Sequence, residues 1–232
     1  MPKTLSVLKT TLSAVAITAL ASTANAGVVS LLLQEPGFPS QIFTNNGNTL
    51  AIFNASIGTF AVLSFSATTN LLPGPGFASG PALFSNAITQ TFAGGTLTLT
   101  VTGTDLTFPV GNVSFQNGFT TNLVLGSVTI KESTFVDPAD VAFSMANPLG
   151  SVTFGPAGSF QTITQISPFS PLTAPYSLTG EFIFTLTADP SIPQGNGRVT
   201  MAIPNVPEPS TWAMMLLSFA GLGFAFASPR RR

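Results

Sequence analysis

Between residues 96 and 102 the chain alternates without a break. Leu97, Leu99 and Val101 occupy one phase, and Thr96, Thr98, Thr100 and Thr102 the other. A period of two sends alternate side chains to opposite faces of a β-strand, here apolar toward a core and hydroxyl-bearing away from it. Similar strand-like runs recur at 123–130, 151–154, 161–166, 181–187 and 198–203. At 59–68 both phases carry apolar residues, with Phe60 and Val62 in one and Ala61, Leu63 and Phe65 in the other. That pattern predicts a strand buried on both faces. Turn-forming clusters separate the runs: Asn45-Asn46-Gly47-Asn48, Pro73-Gly74-Pro75-Gly76, Gly94-Gly95 and Gln194-Gly195-Asn196-Gly197. Two proline-rich stretches, 71–81 and 167–175, read as longer loops. Short strands at this spacing predict an all-β fold, a β-sandwich-like single domain over residues 27–203.

The two ends depart from this pattern. Residues 1–26 read as a signal peptide that is cleaved. Lys3 and Lys9 precede a short apolar run at 12–20, and Ala24-Asn25-Ala26 offers the small residues a signal peptidase requires. Cleavage is expected between Ala26 and Gly27, after passage through the Sec machinery. Residues 204–232 form a tail of different character. Val206-Pro207-Glu208-Pro209-Ser210 is held extended by its prolines, which cannot enter a helix interior. An uncharged run, 212–227, follows and predicts one short transmembrane helix. Ser210 or Thr211 would cap it, Trp212 suits the outer membrane boundary, and Arg230, Arg231 and Arg232 pin the cytoplasmic end. A helix of that length spans roughly 24 Å, short of the hydrocarbon core of about 30 Å. Its small residues, among them Gly221 and Gly223, favour close helix packing over lipid contact. The tail reads as a handle for processing rather than a permanent anchor.

Four features of this tail resemble the PEP-CTERM sorting signal of Gram-negative bacteria. They are the Pro207-Glu208-Pro209 triplet, the helix start Trp212-Ala213-Met214-Met215-Leu216-Leu217, the continuation Phe219-Ala220-Gly221-Leu222-Gly223-Phe224, and the arginine cluster. The segment Ala225-Phe226-Ala227-Ser228-Pro229 departs from the usual aromatic or Gly before the basic end. The resemblance spans about residues 206–232. It implies recognition by an exosortase, a multi-span membrane protease, and removal of the helix during export. It also implies a host that makes exopolysaccharide and biofilm matrix. The same tail is similar to the region known as the ice-binding protein C-terminal domain.

Composition narrows what the body can do. Hydrophobic residues make up 44% of the 232 residues and charged ones 6%, which excludes the low-hydrophobicity, high-charge profile of a disordered chain. Between Gly27 and Asn205 seven acids face only Lys131 and Arg198, a local charge of −5 that excludes a phosphate-backbone binder, hence nucleic acid. The chain has no Cys and no His, so thiolate, imidazole and His-based triad chemistries are excluded together. Of 21 Phe, eighteen lie in the body beside a lone Tyr176. Phe has no polar handle, so these predict a Phe-filled core that compensates for absent disulfides. Sugar stacking would more naturally use Trp or Tyr.

Three constellations carry candidate chemistry. Asp137-Pro138-Ala139-Asp140, with Glu132 nearby, is the densest acidic patch. Asp137 and Asp140 are candidate calcium ligands, set against the simpler reading of a solvated acidic turn. The Thr ridge 96–102 raises ice binding, against an ordinary half-exposed strand. Asp105 and Glu181 are candidate carboxylates for glycoside cleavage, against strand charges that discourage edge aggregation. The expectation is a non-enzymatic, exported, exosortase-processed protein of the cell surface or extracellular matrix, without a cofactor. It is membrane-inserted only before processing and associated with extracellular polysaccharide. A carbohydrate- or calcium-binding adhesion module is the alternative.

Overall fold

A computed structural model describes residues 27–69, 83–91, 94–107, 109–125, 128–155, 161–186 and 194–203. Among these described residues twelve strands follow one another: β1 (Val28–Gln34), β2 (Gln41–Asn45), β3 (Thr49–Ile57), β4 (Phe60–Thr69), β5 (Leu83–Thr91), β6 (Gly95–Leu106), β7 (Gly111–Leu125), β8 (Val128–Asp137), β9 (Asn147–Phe154), β10 (Gln161–Leu172), β11 (Tyr176–Leu186) and β12 (Gln194–Ala202). They form two six-stranded antiparallel sheets. Sheet I has the order β2-β1-β6-β11-β8-β9, and sheet II the order β10-β7-β12-β5-β4-β3. The last eight strands, taken as β6-β11-β8-β9 over β5-β12-β7-β10, have jelly-roll connectivity. The β1–β2 hairpin widens sheet I beyond β6, and the β3–β4 hairpin widens sheet II beyond β5.

The core lies between the sheets and is aromatic. Phe60, Phe65, Phe115, Phe119, Phe154, Phe182, Phe184 and Tyr176 are each under 2% exposed. Phe182 and Phe184, two apart on β11, face the same side, with centroids 6.2 Å apart and planes 14° from parallel. Burying each such ring contributes roughly 1.5–3 kcal/mol. Phe38 and Phe53 stand outside the core, 47% and 71% exposed.

Four sequence expectations change in three dimensions. The doubly apolar stretch 59–68 is a one-sided strand with a phase break. Val62 pairs with Thr89 but Ser64 with Ile88, so Leu63 is an extra residue. Phe60 and Val62 before the bulge, and Phe65 and Ala67 after it, therefore all point inward. The run 123–130 divides between the end of β7 and the start of β8. The proline-rich stretch 167–175 is largely strand: β10 runs to Leu172 through Pro168 and Pro171. It lies at the edge of sheet II, where a missing N–H is tolerated.

The cluster 194–197 belongs to β12, a central strand, rather than to a turn. Its glycines make room for the opposite sheet. A Cβ on Gly195 would lie 2.7 Å from the Phe184 ring, and one on Gly197 2.9 Å from the Phe182 ring. The other proline-rich stretch, 71–81, lies outside the described residues, as do 1–26 and 204–232.

Side chains close both flanks of the sandwich. On one side the Gln165 Nε2 of β10 donates to the Ser151 carbonyl of β9 at 3.3 Å, and the Ser167 hydroxyl donates to the Leu149 carbonyl. On the other, Gln41 Nε2 of β2 donates to the Ser56 carbonyl of β3 at 2.8 Å. These bonds occupy edge carbonyls that would otherwise be open to another strand.

Candidate functional site

Strand register fixes the rows of side chains on the outer face of sheet I. Leu32 of β1, Thr100 of β6, Glu181 of β11, Ser133 of β8 and Ser151 of β9 lie across one row. The next row holds Gln34, Thr98, Ile183, Lys131 and Thr153, and beyond it stand Thr96 and Thr185. On the other side of Glu181 lie Thr102 and Thr179, whose hydroxyls are 3.0 Å apart.

The β8–β9 connection, 138–146, folds over that end of the face. The Phe143 N–H donates to Thr102 Oγ1 at 2.9 Å, and the Ser177 hydroxyl donates to the Val141 carbonyl at 2.9 Å. Thr100, Thr102 and Thr179 are buried as a result, while Thr185, Lys131 and Thr153 are exposed. The threonine ridge of the sequence is therefore half covered: only Thr96 and Thr98 of its four members keep partial exposure.

Glu181 marks the boundary between the covered and open parts. Contrary to the expectation of an edge-strand charge, it sits on a central strand and is 8% exposed. Burial raises its carboxyl above the usual range, and the charge of Lys131, one row away, lowers it. No described residue donates a hydrogen bond to its carboxylate. Thr100 Oγ1, across the ladder from it, is buried without a partner.

Asp137, Asp140, Glu35 and Glu132 commit their carboxylates to the chain itself. Asp137, at the end of β8, accepts the Ala139 N–H through Oδ1 at 2.8 Å. Asp140 accepts the Asp105 N–H at 3.0 and 3.3 Å through its two oxygens. Burial, with Asp105 and Asp137 nearby, raises the Asp140 carboxyl. Asp105 and Asp140 both have left-handed backbones, with φ of 59° and 56°, a conformation Asp tolerates better than most. Asp137 and Asp140 thus share one turn, where their carboxylates fasten backbone. Among the described residues no group of three or more acids is placed to hold a metal ion. Glu35 accepts the Thr59 N–H at 2.9 Å and its hydroxyl at 2.7 Å, fastening the β3–β4 turn.

Glu132 is the residue sequence reasoning misplaced. It belongs to no acidic patch but points into the sandwich, fully buried, in phase with Val128, Ile130 and Val136. Its Oε2 accepts the Thr120 N–H of β7 at 3.1 Å and its Oε1 the Arg198 N–H of β12 at 3.0 Å. Burial pushes its pKa up to about 9 against the pull of those two donors. That apolar phase was visible in the sequence and was the signal that could have found it. Asp105 and Glu181 are not brought together: Thr100, which pairs with Glu181, lies five residues from Asp105, roughly 16 Å along a strand. Glu132 and Glu181 stand on neighbouring strands but on opposite faces of sheet I.

Gly27 lies at the entry to β1, buried, with room for no Cβ beside the Thr104 carbonyl at 2.8 Å. Ala24, Ala26, the motif Val206-Pro207-Glu208-Pro209-Ser210, Trp212 and Arg230, Arg231 and Arg232 lie outside the described residues. Among the described residues no helix is long and apolar enough to cross a membrane.

Comparison with solved structures returns matches at low similarity. The enzymatically active domain of tailspike protein 4 from bacteriophage CBA120 is 16% identical, with a TM-score of 0.35, covering 67% of this chain and 19% of that one. The carbohydrate-binding module TmCBM61, solved with β-1,4-galactotriose, is 10% identical, with a TM-score of 0.34, covering 67% and 86%. The K1 cleaved adhesin domain of Lys-gingipain from Porphyromonas gingivalis is 10% identical, with a TM-score of 0.33, covering 74% and 96%. Likeness at this level carries no argument about function. No curated protein matches the sequence. Residues 205–232 match the family described as the PEP-CTERM protein-sorting motif, and the chain carries that sorting motif there.

Proposed function

We propose that this is an exported, exosortase-processed protein of the cell surface or extracellular matrix, non-enzymatic and associated with exopolysaccharide. The sorting motif at 205–232 is the observation that carries the reading. In this reading Trp212 and the run to residue 227 hold the chain briefly in the inner membrane, Arg230–Arg232 keep the helix end inside, and Pro207-Glu208-Pro209 is presented outward for cleavage.

The domain's build is compatible with trimming at both ends. β1 begins at Val28, one residue after the expected signal cleavage, and β12 ends at Ala202, ahead of the tail. Removing 1–26 and the sorting tail takes away no described strand. The acids support a non-catalytic body. Asp105 and Glu181 lie too far apart for a pair of glycosidase carboxylates, which need about 5–9.5 Å. The remaining described carboxylates accept backbone hydrogen bonds.

Mass spectrometry of both mature ends tests the proposal, using protein from cells with and without the exosortase. The expected product starts at Gly27 and ends upstream of Trp212, and without the exosortase the arginines are retained. An intact Arg230-Arg231-Arg232 end in normal cells would overturn it.

A further inference from the structure

We infer that the open part of the outer face of sheet I, centred on Glu181 and Lys131 and flanked by Thr98, Ile183, Thr185 and Thr153, binds a neutral saccharide segment. This rests on the matrix reading above and deepens it by assigning the site.

Glu181 carries the inference. Glu181 is 8% exposed, and acids so covered ordinarily collect donors from their own chain, as Glu35, Glu132 and Asp137 do here. Glu181 collects none, although hydroxyl-bearing residues surround it and the strand that presents it is rigidly paired on both sides. Its oxygens reach the open face, where an acceptor without a donor from its own chain takes hydrogen bonds from outside it. The neighbouring Thr100 hydroxyl is also unpartnered and backs the carboxylate from β6.

Charge and surface chemistry select the ligand class. Lys131 offsets the charge of Glu181 on the same face, so the pair presents one strong acceptor and one strong donor with no net charge. Vicinal hydroxyls of a sugar donate to the first and accept from the second. Ile183, between them in register and part-exposed, offers an apolar platform for the C–H face of a sugar ring. Exposed Thr185 and Thr153 and part-exposed Thr98 extend the hydroxyl rows along the open end, which suits a chain of several sugars. An anionic polymer would meet Glu181 unfavourably, and a polycation would meet Lys131.

Affinity electrophoresis of the purified full chain in mild detergent tests this. The probes are soluble neutral polysaccharides (a β-glucan, a galactan and a dextran) and anionic polygalacturonate. At least one neutral polymer is expected to retard the protein. Glu181→Gln and Lys131→Ala should each weaken retardation tenfold or more, while Asn86→Ala on the outer face of sheet II leaves it unchanged. Thermal melting checks that Glu181→Gln remains folded. Retardation by polygalacturonate alone, none by any neutral polymer, or full retention in folded Glu181→Gln would overturn the assignment. Failure here leaves the masses of the mature ends untouched, so the site and the sorting proposal fall separately.

Discussion

The Glu132 carboxyl crosses the interior of the sandwich to accept the Arg198 N–H at 3.0 Å, and its other oxygen accepts the Thr120 N–H at 3.1 Å. Arg198 and Thr120 are register partners on β12 and β7. One side chain of sheet I is therefore inserted into the ladder of sheet II, where β12 shifts register between Asn196 and Gly197. Gly197 provides the space, since a Cβ there would lie 2.6 Å from Glu132 Oε1.

This burial makes stability depend on pH. The Glu132 pKa is about 9 in the folded chain against an ordinary 4.5, so the folded state holds the proton more tightly. Its contribution is fully present below pH 4.5 and is lost as pH rises toward 9. Glu181 and Asp140 are shifted in the same direction. Unfolding free energy should fall between pH 5 and 9, with Glu132 alone supplying up to about 1.4 kcal/mol per pH unit. Chemical denaturation at pH 5, 7 and 9 measures this, and Glu132→Gln should flatten the slope. An equally steep slope in that variant would exclude Glu132 as its source.

Gly195→Ala and Gly197→Ala should each destabilise by about 1–3 kcal/mol, because the added methyl meets the Phe184 ring in one case and Glu132 with the Phe182 ring in the other. At this chain length that corresponds to a melting point lower by roughly 2–12 °C. Gly155→Ala, with nothing within 4 Å of the new Cβ, should stay within about 0.5 kcal/mol. Differential scanning calorimetry of the three variants distinguishes a packing role from a turn role.

Asp140→Ala removes the acceptor of the Asp105 N–H and places a β-carbon residue without a polar side chain at φ 56°. A loss of about 1–2 kcal/mol is expected. Asp140→Asn, which keeps an acceptor and tolerates that backbone, should lose less than half as much. Both differences should be the same in calcium and in chelator. A calcium-dependent stabilisation confined to wild type would instead make the turn a metal site.

Removing the flank closures should act on association more than on folding. Gln41→Ala with Gln165→Ala frees the Ser56 and Ser151 carbonyls at the two sheet margins. The melting point should drop by only a few degrees, because each exposed hydrogen bond contributes about 0.5–1.5 kcal/mol. Light scattering during heating should rise earlier than in wild type. Unchanged scattering would show that these amides do not guard the edges.

Much of the secondary structure could be read from local alternation, most plainly in β6, where Leu97, Leu99 and Val101 are all fully buried. Local pattern failed where a distant strand changed its meaning. Leu63 looks like a buried residue of a two-sided strand until β5 shows it to be a bulge. Gly195 and Gly197 look like a turn until Phe184 and Phe182 arrive from the other sheet. Pro168 and Pro171 look like a loop until β10 is seen to be an edge. At the candidate site, Glu181 was visible as a lone strand carboxylate, but its burial and open hydrogen-bonding positions depend on β6, β8 and the 138–146 connection.

The strands and the sorting motif are written in local residue patterns. Alternating Thr and Leu make strands because side chains on an extended backbone repeat every two residues, and the proline triplet, short apolar run and arginines of the tail make a sorting motif wherever the body folds. Which of the described carboxylates lie inside, lie outside or hold backbone depends on contacts between distant strands. Glu132 and Glu181 lie on adjacent strands and differ in the parity of the face they point to. That parity becomes an environment only when β7 and β12 close over one side of sheet I, and the β8–β9 connection over part of the other.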